Sequence, residues 1–169
     1  LFGGVDAGAS NTTGSFNTVL GGIDASFDAP FESNTTGGYN TALGSAALKS
    51  NTTASNNVAV GYQALYANTT GANNVAVGNN ALDANTTAGE NTAVGHGSLS
   101  ANTTGTRNSA LGYQSLTANT TGNDNIAIGD NALLSNTTAS NNTAVGNYAL
   151  DANTTGASNT AVGYVRSRT

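Results

Sequence analysis

The chain repeats itself every 17 residues, and this period constrains the fold more than any other feature of the sequence. An Asn-Thr-Thr triplet opens each copy, and from Asn34 onward successive triplets are 17 residues apart without slippage. A fixed short period is typical of solenoids, in which each copy buries its apolar face only against its neighbours. We therefore expect an elongated stack of coils without a central globular core. The triplets begin at Asn11, Asn34, Asn51, Asn68, Asn85, Asn102, Asn119, Asn136 and Asn153.

The repeat divides the chain into two parts. Residues 34–169 form eight regular 17-residue coils of one solenoid. Residues 1–33 form an irregular end, a partial coil followed by a 23-residue coil with an insertion near 24–33. Terminal repeats of solenoids are commonly atypical. Because residues 4–10 fit the second half of a coil, we expect this chain to be a window of a longer fibre.

Within each coil we count the triplet asparagine as position 1. Position 9 is Ala and position 11 is Gly in all eight regular coils, and position 10 is Val, Leu or Ile. Because side chains alternate across a strand, positions 8 and 10 are predicted to point into the core and Ala to face outward. Gly at position 11 predicts a corner with positive φ or close backbone approach.

Position 15 is Leu in seven of the eight regular coils and predicts a second short strand whose Leu points inward. The predicted core is Val58, Val60, Leu65, Val75, Val77, Leu82, Val94, Leu99, Leu111, Leu116, Ile126, Ile128, Leu133, Val145 and Leu150.

Stacking identical coils at about 4.8 Å places each asparagine on its counterpart, so side-chain amide ladders are expected along the axis. The ladders comprise position 1 (Asn34, Asn51, Asn68, Asn85, Asn102, Asn119, Asn136, Asn153) and position 7 (Asn40, Asn57, Asn74, Asn91, Asn108, Asn125, Asn142, Asn159).

Other folds fit this sequence poorly. Gly and Asn-Thr-Thr interrupt every copy, which leaves no useful helical run. The chain contains no Asn-Gly or Asp-Gly pair, the strongest signal for a hairpin. The predicted fold is therefore all-β, a parallel β-roll or β-solenoid with two short strands per coil. Because burial of three mostly small residues per coil hardly offsets the backbone entropy, association of several chains is expected, with the outward Ala allowing close approach.

The repeat sequence resembles the repeats of known surface fibres. Asn-Val-Ala-Val-Gly at 57–61 and 74–78 and Asn-Ile-Ala-Ile-Gly at 125–129 resemble the Asn-Ser-Val-Ala-Ile-Gly motif of trimeric autotransporter adhesin heads. The longer segment 142–156 is similar to the repeats of phage tail-fibre and related surface fibre proteins. The resemblance covers about residues 11–169 and implies a left-handed roll in a homotrimer. Two departures are that adhesin heads use shorter coils and that Asn replaces Ser before Val at Asn57 and Asn74.

Composition excludes several functions. Only 8% of residues are charged, the net charge is -5, and no basic patch exists for nucleic acid. No apolar run is long enough to insert this segment into a membrane. The chain lacks Cys and its single histidine, His96, has no recurring acidic partner, so we expect no enzyme activity, no metal and no cofactor.

The function that these observations favour is a rigid stalk or head for attachment, outside a bacterial cell or on a virion. Its expected partners are its own copies, in a homotrimer that can extend end to end, and a host-surface glycan or protein. Possible contact residues are the aromatic ones, Phe27, Phe31, Tyr62, Tyr113, Tyr148 and Tyr164.

Three alternatives stay open from the residues. Each Asn-Thr-Thr is formally an N-glycosylation sequon, although glycans about 5 Å apart would crowd one another. The fibre could be a self-assembling filament without a receptor. Threonine columns could bind ice, although adjacent threonines on a strand would point to opposite faces.

Overall fold

The described residues build one parallel sheet. The computed structural model describes residues 1–22 and 28–164, with Phe2 described by its backbone only. Ten strands pair in chain order, each in register with the next, as in Ala76 on Ala93. The predicted parallel β-solenoid with 17-residue coils is therefore confirmed. The strands are β1 Phe2–Gly3, β2 Thr18–Leu20, β3 Thr41–Leu43, β4 Val58–Val60, β5 Val75–Val77, β6 Thr92–Val94, β7 Ser109–Leu111, β8 Ile126–Ile128, β9 Thr143–Val145 and β10 Thr160–Val162.

Each described regular coil contains one strand, so the prediction of two strands per coil is wrong. The segment around position 15 is a run of turns in which alternate residues are left-handed, such as Asn80 with φ 56° and Leu82 with φ 52°. Its N–H groups still bond between coils, from Leu82 to the Ser98 carbonyl at 3.1 Å and from Asn80 to the Tyr62 carbonyl at 2.9 Å. Left-handed residues shorten the distance that the backbone covers per residue. The run of turns around position 15 can therefore lie opposite a strand of only three residues, although it contains more residues than the strand.

The inward face of the strand is the reverse of the predicted one. Ala76 at position 9 is fully buried, whereas its neighbours Val75 and Val77 are only half-buried and lie on the outer side. The core is a column of alanines packed against the leucines of position 15. Because each thin layer already holds one Leu, the opposite wall has room for Ala and not for two β-branched side chains.

The predicted core residues therefore separate into two groups. The position 8 and 10 members are not core, namely Val58, Val60, Val75, Val77, Val94, Leu111, Ile126, Ile128 and Val145. The position 15 members are core as predicted: Leu65, Leu82, Leu99, Leu116 and Leu133 are fully buried, and Leu150 is partly buried against the same cluster.

Both asparagine ladders are present. At position 1, Asn85 Nδ2 donates to Asn68 Oδ1 at 2.9 Å and to the Ala88 carbonyl at 2.9 Å. At position 7, the Asn91 backbone N–H donates to Asn74 Oδ1 at 3.0 Å. The ladder side chains are buried from Asn34 to Asn142. Buried amides are tolerated because each layer satisfies the next.

The glycine corner at position 11 also agrees with the prediction. Gly78 has φ 137°, and a Cβ there would lie 2.5 Å from the Gly95 carbonyl oxygen of the next coil. Neither that conformation nor that distance admits an L side chain, so this corner requires glycine.

The irregular first coil rejoins the regular register at Pro30. Gly8 N–H donates to the Pro30 carbonyl at 3.1 Å, and Phe31 N–H donates to the Ala47 carbonyl at 2.9 Å. The Phe31 side chain is fully buried at the position that Leu occupies in later coils. Phe31 is therefore a core residue, and its prediction as a contact residue is wrong. Phe27, another predicted contact residue, lies outside the described residues.

Candidate functional site

The outer side of the sheet carries the longest apolar surface among the described residues. We call the outward side chains at positions 8 and 10 of β2–β10 the strand face. Position 8 is uncharged in every strand, and position 10 is aliphatic in all nine. Within the row, Leu111 is 49% exposed and Ile128 is 38% exposed. The aliphatic row consists of Leu20, Leu43, Val60, Val77, Val94, Leu111, Ile128, Val145 and Val162.

Position 10 stays in register because the backbone holds it there. In β5, Val75 N–H donates to the Asn91 carbonyl at 2.8 Å, and Gly78 N–H donates to the Val60 carbonyl at 2.8 Å. Strand neighbours along the axis lie about 4.8 Å apart. The row is therefore a straight ridge about 40 Å long that water must hydrate if no partner covers it.

Aromatic side chains border this ridge at position 12. Tyr62, Tyr113 and Tyr164 are exposed, and their role as contact residues stays a prediction. His96 stacks on Tyr113 with ring centroids 5.5 Å apart. His96 therefore packs as a surface aromatic. Tyr148 at position 13 is half-buried and meets Tyr164 edge to face at 6.2 Å.

A third aromatic pair, Phe16 and Tyr39, was missed from the sequence. Phe16 and Tyr39 stack with centroids 5.0 Å apart, and both are well exposed. Both occupy position 6, which could have been noticed by aligning the first coil on its triplet. Their left-handed backbone, φ 59° and 58°, turns the two rings outward one above the other. Stacking between coils accounts for this pair without a ligand.

Charged side chains also gather at position 6. Arg107 Nε donates to Asp124 Oδ1 at 2.7 Å, and its Nη2 donates to Oδ2 at 3.0 Å. The hydrogen bond from Arg107 lowers the pKa of Asp124, and the same bond raises the pKa of Arg107. Glu90, one coil earlier, adds a smaller electrostatic contribution in the same direction to Arg107. The guanidinium is thus already engaged by a carboxylate.

The irregular coil is tied to the regular ones by an ion pair. The Lys49 ammonium bonds the Asp28 carboxylate, and Tyr66 OH donates to the other carboxylate oxygen at 3.3 Å. The hydrogen bond from Lys49 to Asp28 raises the pKa of Lys49. Asp28 thereby contacts two successive coils, which fixes the end of the insertion against the stack.

Asp83 is a half-buried carboxylate of the regular coils. Its Oδ1 is buried without a hydrogen-bond partner, while Asn80 Nδ2 donates to Oδ2 at 3.4 Å. Desolvation by burial raises the pKa of Asp83. We find no group of three metal-ligating side chains in the described part of the chain.

The triplet residues have structural roles. The sequon asparagines from Asn34 to Asn136 are fully buried and use Nδ2 as a ladder donor, so the folded coil does not present them for glycosylation. The threonine at position 2 donates its hydroxyl to the next coil, as Thr69 Oγ1 does to the Thr86 carbonyl at 3.0 Å. The threonine at position 3, such as Thr70, is exposed. One regular hydroxyl column therefore faces solvent.

The fold and its surfaces define the class of the protein as a parallel β-solenoid repeat protein. No helix of the described residues is long and apolar enough to cross a membrane. Comparison with protein-family models, with curated proteins and with solved structures finds no match.

Proposed function

We propose that this chain is a structural fibre segment of an extracellular adhesin or phage tail fibre, a rigid stalk or head for surface attachment. Its copies associate side by side as a homotrimer through the strand face. The observation that carries this proposal is the uncharged strand face, whose aliphatic row runs along all nine strands. The trimer number comes from the resemblance to adhesin heads.

Energetics favour association in a long array. The strand face covers roughly 400 Å², taking nine strands at about 4.8 Å and three residues of width. A standard interface buries about 800 Å² per partner, so these coils alone make a modest contact. Because the contact area grows with every added coil, a longer stack of the same repeat associates more tightly. Continuous hydrogen bonding between coils keeps such a stack stiff.

This proposal places the interface between copies on different residues from those predicted from the sequence. The alanines of position 9, expected to face the partner chain, are buried inside each coil. The residues available to a partner are the Val, Leu and Ile of position 10 and the position 12 tyrosines beside them. Aliphatic and tyrosine side chains without charges are the usual composition at the centre of a protein interface.

Light scattering over a range of protein concentrations tests the proposal. We expect the mass to rise towards three times 16.6 kDa. Leu111→Lys places a charge on the strand face and should give monomer. Thr104→Lys, in the same coil but at exposed position 3, should leave the mass unchanged. A wild-type monomer at the highest concentration, or equal effects of the two variants, would refute association through the strand face.

Two alternative functions remain predictions. A filament without a receptor would show end-to-end fibres by electron microscopy and no binding to cells. An ice-binding solenoid would show thermal hysteresis. Against the ice-binding alternative, the triplets that begin at Asn34 to Asn136 fully expose only their position 3 threonine, which gives a single hydroxyl column in place of a paired array.

A further inference from the structure

A shallow groove of about 270 Å³ lies on the side of the solenoid formed by positions 3 to 6. It spans three successive coils and is centred on Gly89, and we call it the Gly89 groove. Its lining is uniformly polar or small, in contrast to the aliphatic strand face. The lining residues are Ala72, Asn73, Thr87, Gly89, Glu90, Thr106 and Arg107.

At three places along this side, position 5 takes part in a hydrogen-bond ladder, which is interrupted where position 5 is Gly or Ala. Gly38 N–H donates to Ser55 Oγ at 3.0 Å, Thr106 N–H to Asn123 Oδ1 at 2.8 Å, and Asn123 N–H to Ser140 Oγ at 2.9 Å. In each case the backbone N–H of one coil is satisfied by the side-chain oxygen of position 5 in the next coil. The ladder thus needs an oxygen-bearing side chain at position 5.

Gly89 interrupts this ladder because it has no side chain. Within the described residues, the Ala72 N–H has no hydrogen-bond acceptor in the next coil. The Gly89 N–H is also unbonded, because the Thr106 hydroxyl of the following coil donates to Asn123 Oδ1 at 3.0 Å. A Cβ at Gly89 would lie 2.6 Å from the Ala72 carbonyl oxygen and 3.6 Å from its nitrogen. The missing side chain therefore opens the groove and leaves the Ala72 N–H for an oxygen from outside.

The charges around the groove indicate which chemical group of a ligand could supply the accepting oxygen. Arg107 is paired with Asp124, so its positive charge is largely neutralised, whereas Glu90 is exposed and has no ion-pair partner among the described residues. The groove therefore repels anions. A neutral hydroxyl suits it, because its oxygen can accept from a backbone N–H while its proton is donated to a carboxylate.

We propose that the Gly89 groove binds one ring of a neutral saccharide. One hydroxyl oxygen accepts from the Ala72 N–H, and a hydroxyl proton is donated to Glu90. The Thr87 hydroxyl and the Asn73 amide lie within the lining for further hydroxyls. The volume is slightly below the range of small-molecule pockets, which matches a single ring with the rest of a glycan outside. This inference rests on the attachment role proposed above for its biological meaning.

Nuclear magnetic resonance titration reads the proposed contacts directly. The probes are the methyl glycosides of glucose, galactose, mannose and N-acetylglucosamine, with glucuronic acid as the anionic comparison. We expect at least one neutral glycoside to shift the Ala72 and Gly89 amide signals saturably, and glucuronic acid to bind more weakly. Absence of a saturable shift, or shifts spread evenly over the coils, would overturn the proposal.

Two variants test the assignment to these residues. Gly89→Ser supplies the oxygen that Ser55 supplies elsewhere and should abolish binding, whereas Gly38→Ser makes the same change outside the groove and should not. If Gly89→Ser fails to fold, Glu90→Ser decides, because Ser158 occupies that position in another coil. Glu90→Ser should weaken binding about tenfold, the value of a lost charge-assisted hydrogen bond. Unchanged affinity in both Gly89→Ser and Glu90→Ser would contradict the site.

The same samples are measured by light scattering. Loss of saccharide binding with an intact trimer refutes the groove alone, and a monomer that binds saccharide refutes the fibre proposal alone.

Discussion

Replacing Asn91 by Ala should destabilise the fold far more than an ordinary asparagine substitution. Asn91 is fully buried in the position 7 ladder. Its Oδ1 accepts the Asn108 backbone N–H at 3.0 Å and Asn108 Nδ2 at 3.3 Å, and its Nδ2 donates to the Gly105 carbonyl at 2.9 Å. The substitution removes all three hydrogen bonds from a site that water does not reach.

The magnitude follows from which partners can compensate. Asn108 Nδ2 keeps the Gly122 carbonyl at 2.8 Å, and the Gly105 carbonyl keeps Asn102 Nδ2 at 2.9 Å. Only the Asn108 backbone N–H is left buried without an acceptor, which costs about 1–3 kcal/mol. Each of the other two bonds contributes about 1 kcal/mol net. We therefore expect Asn91→Ala to lower the free energy of unfolding by about 3–5 kcal/mol.

Urea unfolding followed by circular dichroism measures this change, at one protein concentration because the proposed association would also contribute to stability. Asn79→Ala is the matched control. Asn79 Oδ1 also accepts a backbone N–H, from Tyr62 at 3.2 Å, but it does so in an exposed place where water can replace it. We expect the control to change stability by about 0.5 kcal/mol or less. A loss below about 1 kcal/mol for Asn91→Ala would show that the buried ladder is not a main source of stability.

Three further outcomes follow from the structure. Leu82→Ala should lower the free energy of unfolding in urea by about 2–5 kcal/mol. Val77→Ala, on the strand face of the same coil, should cost clearly less in the monomer, and a cost as large as that of Leu82→Ala would contradict the outward placement of Val77. Burial raises the pKa of Asp83 in the folded protein. The stabilisation linked to this protonated carboxyl group is fully present below the unfolded pKa of about 3.9 and is lost as pH rises through the folded pKa. Asp83→Asn should therefore gain stability relative to wild type as pH increases from 4 to 7, and equal pH dependence in both proteins would contradict this. Arg107→Ser should raise the pKa of Asp124 in a carboxyl NMR titration, because the hydrogen bond that lowers it is lost, while the urea midpoint stays the same.

Most of the architecture could be predicted from residue spacing. The 17-residue period implies that position n of one coil meets position n of the next, and the observed register, such as Val77 on Val94, follows this rule. The glycine corner and the leucine core were also predicted, because Gly and Leu have few alternative roles at invariant places in a repeat. The surfaces proposed for binding were less predictable. The Gly89 groove depends on the difference between one coil and its neighbours, which a repeat consensus conceals.

The sequence by itself determined the parallel stacking and the ladders, because identical residues at a constant interval can satisfy one another only when coils lie in register. Only the tertiary structure decided which side of the strand is inside. Alternation in β5 permits Val75 and Val77 to point in, or Ala76, and hydrophobicity alone favours the valines. The opposite wall already supplies Leu82 to the same thin layer, and the remaining space admits a methyl group. The small volume left opposite the leucines therefore decided against the more hydrophobic valines, and the aliphatic row lies on the surface of the chain.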